Sequence, residues 1–386
     1  MALTVRRVAI ANYRSIRRIA FPLEPLTVFV GANGTGKTNL YRALQLAQFA
    51  ARGTLSAEIA GEGGMEAVFW AGRLPKNEAL RIAVEVELGP AAAEGPAVLA
   101  YGFEIGFRML TMAAFPFEPQ VKTETLHRLS GRRRTLLLER RGPRLAARRE
   151  GDGLVPVELD LLASETALSR LEDAGAFPEI DLARRSLLDW RFHHALRTDP
   201  QAPMRRPALA VASPTLDADG ANLAAVLATL VHIREDTAEL DAAIADAFPG
   251  ARLDVPEPGR EASFGLSFRE HPQRVFGANE LSDGTLRYLS LAGALLAYRR
   301  PALLAFNEPE ASLHPDLLPP LARLIARAAD GGGSIWLVTH SPVLADALAK
   351  AGGLVPRRVE KDREGATSLA GLTRFGDFAE VDTPGT

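Results

Sequence analysis

The stretch Gly31-Ala32-Asn33-Gly34-Thr35-Gly36-Lys37-Thr38 reads G-x-x-x-x-G-K-T, between an apolar run (Leu26 to Val30) and a helix-like run (Asn39 to Phe49). Strand, glycine-rich turn and helix in that order form a phosphate-binding loop. The glycines let successive backbone N–H groups turn inward around phosphate oxygens, and the start of the helix adds partial positive charge. In such a loop Lys37 reaches the β- and γ-phosphates and Thr38 ligates Mg²⁺, with Gly31, Asn33, Gly34, Gly36 and Asn39 completing the cradle. Binding of a nucleoside triphosphate is expected.

Composition bounds what surrounds that loop. The chain has 386 residues, 47% of them hydrophobic and 24% charged, as in ordinary globular proteins with one large or two smaller cores. The first fifteen residues lack a continuous apolar segment, and the most apolar stretch, Leu286 to Tyr298, is too short to span a bilayer. A cytoplasmic location without membrane contact is expected. The absence of cysteine excludes disulfides, thiolate zinc sites and cysteine nucleophiles. A net charge of −2 gives no global attraction to nucleic acid, so any such contact must come from a local patch. One cluster stands out: Arg128, Arg132, Arg133, Arg134, Arg140, Arg141, Arg144, Arg148 and Arg149. It reads either as a phosphate-gripping edge or as a solvated hairpin in an arginine-rich chain.

Two later segments complete a hydrolytic pattern. Pro301 to Phe306 is an apolar run ending in Asn307-Glu308-Pro309-Glu310, the position of a Walker B strand. A carboxylate at Glu308 can take a proton from a water in line with the γ-phosphate, as a general base. After a helical stretch (Leu317 to Ala329), the run Ile335 to Thr339 ends in His340-Ser341, and an imidazole at the end of a parallel strand can reach the γ-phosphate. Asn307 stands where an aspartate anchors a Mg²⁺-bound water. Its amide keeps the hydrogen-bonding shape without the charge, which predicts slow hydrolysis.

Leu281-Ser282-Asp283-Gly284-Thr285-Leu286-Arg287 precedes a helical run (Arg287 to Tyr298) and places a serine and a glycine at a helix N-terminus. This segment resembles the signature motif of ABC-type ATPases, and phosphate loop, signature, Walker B and terminal histidine occur in that superfamily's order. The resemblance implies an α/β P-loop NTPase that binds ATP and Mg²⁺ and pairs head to tail, with Ser282 and Gly284 capping the γ-phosphate of a second copy. Within the superfamily the chain looks like the RecF/SMC-like heads and the stand-alone AAA-type ATPases related to them. Ile10-Ala11-Asn12-Tyr13-Arg14-Ser15-Ile16 looks like their first hairpin, with Arg14 near the nucleotide, and Glu308-Pro309-Glu310-Ala311-Ser312-Leu313-His314-Pro315 like their Walker B and D-loop. The long interval from Lys37 to Ser282 disfavours a transporter subunit, and without sustained heptads it predicts no long coiled coil. No Q-loop glutamine can be placed; Gln45 and Gln48 lie within the helix after the phosphate loop.

The expected organisation is a single ATPase head: lobe I with the phosphate loop and a mixed or antiparallel β subdomain (1–150), a mostly helical insertion (151–250), and lobe II with signature, Walker B, D-loop and histidine (251–386). Leu80 to Leu88, Leu99 to Phe107, Leu188 to Phe192 and Phe264 to Phe268 alternate like strands. Leu159 to Leu171 reads as helix, and Leu223, Val226, Leu227, Leu230 and Val231 form one helix face capped by Asp219 or Asn222. Breaks fall at Gly142-Pro143, Gly151 to Gly153, Pro200 to Pro207 and Pro256 to Gly259. His193 and His194 face opposite ways on a strand, which argues against a metal pair. With residues 341–386 following the histidine, no nuclease domain is expected there. Two outputs stay open: an ATP-gated DNA clamp in repair, chromosome maintenance or defence, built on Arg128 to Arg149, and an ATP-dependent switch that engages a protein effector.

Overall fold

Alternation with a period of two builds the first half of the chain. In the strand Thr4–Tyr13, Val8 and Ile10 are buried while Arg7, Ala9 and Ala11 are partly exposed, the pattern of a sheet with one covered face. In the computed structural model, which describes residues 3–75, 78–90, 96–107, 115, 118–149, 153–194, 196–373 and 376–378, eight such strands pair antiparallel. Their order is Ile16–Pro22, Thr4–Tyr13, Arg81–Gly89, Leu99–Gly106, Gln120–Ser130, Arg133–Arg141, Arg144–Arg148 and Leu154–Pro156. The helix Lys37–Arg52 buries Leu40, Tyr41, Leu44 and Ala47, and the hairpin Arg357–Lys361 with Thr367–Leu369 belongs to the same unit. That unit comprises residues 1–24, 31–190 and 357–386.

The second unit, residues 25–30 and 191–356, is built on parallel strands in the order Arg191–His193, Leu303–Asn307, Ser334–Thr339 and Leu26–Val30. Every residue of Leu303–Asn307 and Ser334–Thr339 is buried, as continuous apolar runs in a covered parallel sheet must be. The helix Leu318–Asp330 makes the crossover between those two strands and buries Leu321, Leu324 and Ile325 in the core, with Leu286, Leu289 and Tyr288 of the helix Asp283–Leu295. A three-stranded antiparallel sheet, Ala251–Asp254, Gly265–Phe268 and His271–Gly277, completes the unit. The architecture is the α/β P-loop fold with an antiparallel β lobe that the sequence implies. Among the described residues the longest helix, Lys37–Arg52, has 16 residues, and no helix is long and apolar enough to cross a membrane. The chain passes between the compact units at 24/25, 30/31, 190/191 and 356/357, so residues 151–250 are divided between them.

Several local expectations need correction. Leu159 to Leu171 is not a helix. Its amides are claimed elsewhere: the N–H groups of Ala167 and Leu168 donate to the carboxylate of Glu124 at 2.6 and 2.9 Å, while the Arg140 guanidinium donates to the carbonyls of Leu162 and Glu165. Leu188 ends the helix Pro178–Leu188, and only Arg191–His193 is extended. The run from Leu223 is buried on all sides rather than along one face, and it passes from α-helix (Leu223–Thr229) into a π-helical turn (Leu230–Arg234). Asn222 holds the N-cap position but makes no side-chain cap, because its Oδ1 accepts from Asp217 N, while Asp219 Oδ1 accepts from Ala221 N in the preceding turn. The strands expected at Leu80 to Leu88, Leu99 to Phe107 and Phe264 to Phe268 are present as Arg81–Gly89, Leu99–Gly106 and Gly265–Phe268. Of the break at Gly151 to Gly153, residues 151 and 152 lie outside the described residues.

Glu124 is fully buried, and burial raises its carboxyl above the ordinary range, opposed by the bonds from Leu168, Ala167 and the Tyr101 hydroxyl. Glu124→Ala leaves two amides and that hydroxyl buried without an acceptor and should cost about 3 kcal/mol of stability. Glu179→Ala, which removes the surface partner of Arg128, should cost less than about 1 kcal/mol. Urea unfolding of the two variants measures the contrast; equal midpoints would refute it.

Candidate functional site

The phosphate loop follows directly on Val30 and carries two residues in the left-handed region, Gly34 at φ +79° and Gly36 at φ +100°. Glycine is required there for conformation, and at Gly36 also for space, since a Cβ would lie 1.9 Å from Thr367 Oγ1. The helix then starts at Lys37 with no side-chain cap on its N-terminus, the arrangement in which a helix meets an anion. Lys37 is 4% exposed, and its ammonium donates to the carbonyls of Gly31 and Ala32, both at 2.8 Å. Asn33 and Gly34 are exposed and Thr38 is half-buried. Asn39 Nδ2 donates to Ser15 Oγ at 2.7 Å. Arg14 sits at φ +51°, and its guanidinium is held by Glu62 Oε2 at 2.5 Å, while Glu62 Oε1 takes Arg42 at 2.6 Å. Arg14 is thus in the unit of the loop but engaged with a carboxylate.

Of the expected catalytic residues, Lys37 lies in the first unit and Glu308 and His340 in the second. Parallel pairing aligns Asn307 with Val338, and the ladder runs one residue further, with Glu308 N donating to Val338 O at 2.8 Å. Glu308 takes φ +51°, a strained conformation for a residue with a Cβ and one that clusters at functional sites. Its side chain is 38% exposed, and its Oε1 lies 3.8 Å from His340 Nδ1. The imidazole lies nearer Glu310, at 3.3 Å from Oε1. Glu310 is buried and organises the turn that carries the histidine: the same Oε1 accepts from the Thr339 hydroxyl, His340 N at 3.0 Å and Ser341 N at 3.3 Å. Ser341 Oγ then caps the helix Pro342–Gly352.

Ser282 is the N-cap of the helix Asp283–Leu295, accepting from Thr285 N, so this helix begins four residues before Arg287. Gly284 faces the D-loop segment closely; a Cβ there would lie 2.9 Å from the carbonyl oxygen of Ser312, itself at φ +65°. On the same helix Arg287 is buried and donates to Leu196 O at 2.8 Å, Glu308 O at 3.0 Å and Pro309 O at 3.4 Å. Burial pushes its guanidinium down, offset by the charges of Glu310 and Glu308. Arg287 therefore fastens the signature helix to the backbone of the candidate base. The sequence gives no sign of these roles of Arg287 and Glu310, because spacing does not tell a buried charged side chain from a surface one. Gln48 is buried and donates to Leu187 O and Trp190 O, a packing role in keeping with its weakness as a Q-loop residue.

Asn307 Oδ1 and Glu310 Oε2 are buried acceptors without a donor, an arrangement that costs free energy unless a donor comes with a ligand. Oxygen acceptors of this kind fit a hydrated Mg²⁺, whose waters donate. Among the described residues no cluster of three metal-ligating side chains occurs. His193 is buried at the end of its strand and His194, just beyond it, is exposed, so the pair does not share one strand as expected.

The arginine cluster is paired in part. Arg128 makes a two-pronged pair with Glu179, Arg134 bonds Glu85 and Glu87, Arg141 bonds Glu139, Arg148 bonds Leu136 O and Arg140 is buried against backbone carbonyls. Arg132, Arg133, Arg144 and Arg149 remain exposed.

The family model described as "AAA domain, putative AbiEii toxin, Type IV TA system" matches residues 116–346, and that described as "AAA ATPase domain" matches residues 4–51. No curated protein matches the chain. Among solved structures, it is similar to an Smc head bound to the C-winged helix domain of ScpA, at 16% identity and a TM-score of 0.51, covering 96% of this chain and 99% of that one. It is also similar to an Smc head domain with an extended coiled coil bound to the C-terminal domain of ScpA, derived from Pyrococcus furiosus, at 14% identity and a TM-score of 0.51, covering 95% and 96%. At such identity the likeness is one of fold.

One titration follows from the packing beside Asn307. His193 stacks on Phe306 with ring centroids 5.3 Å apart, and burial pushes its imidazole down to about 4. The unfolded chain then binds more protons than the folded one between about pH 6.5 and 4, so stability is fully present above that window and lost as pH falls through it. The expected slope from this group is about 1.4 kcal/mol per pH unit. His193→Phe, which keeps a stacked ring, should flatten the pH dependence of unfolding in that window by this amount, and identical slopes would show that the imidazole does not titrate differentially.

Proposed function

The chain belongs to the family of AAA domains whose model matches residues 116–346, and from that premise we propose that it is an ATP-gated switch that binds ATP with Mg²⁺, pairs with a second copy around the nucleotides and hydrolyses them slowly. The loop amides and Lys37 bind the triphosphate and balance its charge. Thr38 and, through a water, Asn307 would hold Mg²⁺, which when bound draws charge from the transferring phosphoryl group. Glu308 takes the proton of the attacking water, and His340 donates to the γ-phosphate from the turn that Glu310 holds. Ser282 and Gly284 meet the γ-phosphate bound by the partner copy, at a helix N-terminus suited to an anion. The observation that carries the reading is Glu308: a strained, half-exposed carboxylate beside an imidazole at the end of a buried parallel strand. Asn307 in place of a carboxylate supports a slow turnover, long enough for an ATP-bound pair to act as a signal.

Of the two outputs, engagement of a protein effector is the better supported. The DNA clamp rested on the arginines from 128 to 149; pairing with Glu179, Glu85, Glu87 and Glu139 occupies Arg128, Arg134 and Arg141, so that only part of the cluster, Arg132, Arg133, Arg144 and Arg149, stands exposed for phosphates. The matched family is described as a putative AbiEii toxin of a type IV TA system, and the two similar Smc heads are seen with a protein partner.

Fluorescent-ATP titration should show binding that Lys37→Ala abolishes, since the loop loses the cation opposite the β- and γ-phosphates; undiminished affinity in a folded Lys37→Ala protein removes the site. In a DNA titration across salt, with and without ATP, weak and ATP-independent binding is expected. ATP-dependent binding whose salt slope falls by about three when Arg132, Arg133 and Arg144 are neutralised would restore the clamp.

A further inference from the structure

Thr367 lies on the hairpin formed by Arg357–Lys361 and Thr367–Leu369, far along the chain from the phosphate loop, yet its hydroxyl reaches into the loop's outer side. Thr367 Oγ1 lies 3.0 Å from the carbonyl oxygen of Thr35 and 2.6 Å from Ser15 Oγ, and Asn39 Nδ2 lies 2.7 Å from that Ser15 Oγ. The backbone closes the same contact, with Thr367 N donating to Ser15 O at 2.7 Å.

The chemistry of these groups allows one direction only. An amide nitrogen donates and a carbonyl oxygen accepts, and each hydroxyl has a single proton. Asn39 therefore donates to Ser15, Ser15 to Thr367, and Thr367 to the carbonyl of Thr35. A chain with all its bonds running one way polarises each successive donor.

The last link has a geometric consequence. In a trans peptide the C=O and the following N–H point in opposite directions within one plane. Holding the Thr35 carbonyl outward on Thr367 turns the Gly36 N–H inward, to the concave side where a phosphate oxygen binds. Gly36 can accept this only as glycine, at φ +100° and with Thr367 Oγ1 occupying the space of a Cβ.

The geometry points to Thr367 as a positioning residue of the nucleotide site: through Ser15 and Asn39 it fixes the Thr35–Gly36 peptide so that the loop is set for phosphate before ATP arrives. This deepens the ATP-binding reading and rests on it.

Two readouts test it, one without nucleotide. Thr367→Val keeps the shape and removes the donor; it should weaken fluorescent-ATP affinity about tenfold, the size expected for one hydrogen bond within an ordered network. It should also speed amide hydrogen exchange across residues 33–38 in the nucleotide-free protein. Thr367→Ser restores the donor and should bring both back to within about threefold of wild type. Ser15→Ala should fall between, and combining it with Thr367→Val should add little, because the chain is already cut. Wild-type affinity and exchange in folded Thr367→Val, or equal losses in Thr367→Val and Thr367→Ser, overturn the proposal. Should the wild type bind no ATP, the nucleotide reading fails, and the exchange of residues 33–38 still decides whether Thr367 orders the loop.

Discussion

The parallel register of Ser334–Thr339 against its two neighbours is the constraint on which the site depends. Thr339 pairs with Val30, and Val338 with Asn307. Glu308 and His340 of this unit therefore each leave the sheet one residue beyond a paired position, at the carboxyl ends of the strands. Ligands bind at that edge in open α/β sheets. Because side chains alternate along a strand, a slip of one residue would exchange every inward and outward group. The register is protected by burial on both sides: Trp336 and Phe29 meet at 4.5 Å, and Leu337, Phe306 and Val28 lie in the core.

Polar groups at the strand ends convert that register into chemistry. Glu310 spends one carboxylate oxygen on the turn from Thr339 to Ser341 and keeps the imidazole of His340 within reach of Glu308. Arg287 ties the helix Asp283–Leu295 to the carbonyl of Glu308, the proposed base. Thr367 does for the phosphate loop what Glu310 does for the histidine turn. In each case a side chain takes up a backbone group that irregular structure leaves unpaired, as buried backbone requires. Glu124 performs the same task for Ala167 and Leu168.

How much of this was legible in the sequence follows from how local each feature is. Phosphate loop, Walker B run, histidine turn and signature are contiguous motifs whose residue types carry their own chemistry, so Lys37, Glu308, His340 and Ser282 could be named with their elements. The alternating strands from Arg81 to Gly106 were equally readable, since period two needs only neighbours. Leu159 to Leu171 misled because its apolar spacing suits a helix, whereas its amides are captured by Glu124 from a strand more than thirty residues earlier. The run from Leu223 misled in the opposite sense, being buried on every face instead of one. Thr367, Arg287 and the partners of the arginine cluster are set by contacts between distant parts of the chain, which spacing does not encode. A threonine near the C-terminus carries no mark of the loop it supports.

The central claim is that ATP joins two copies through the signature helix and that hydrolysis by Glu308 releases them. Light scattering on Glu308→Gln with ATP and Mg²⁺ tests it most directly, because the triphosphate then persists while the surfaces that meet it stay intact. The account predicts a doubled mass with ATP, a single mass without it, and a return to the single mass when Ser282→Arg is added. A protein that binds ATP and remains monomeric at high concentration would contradict it.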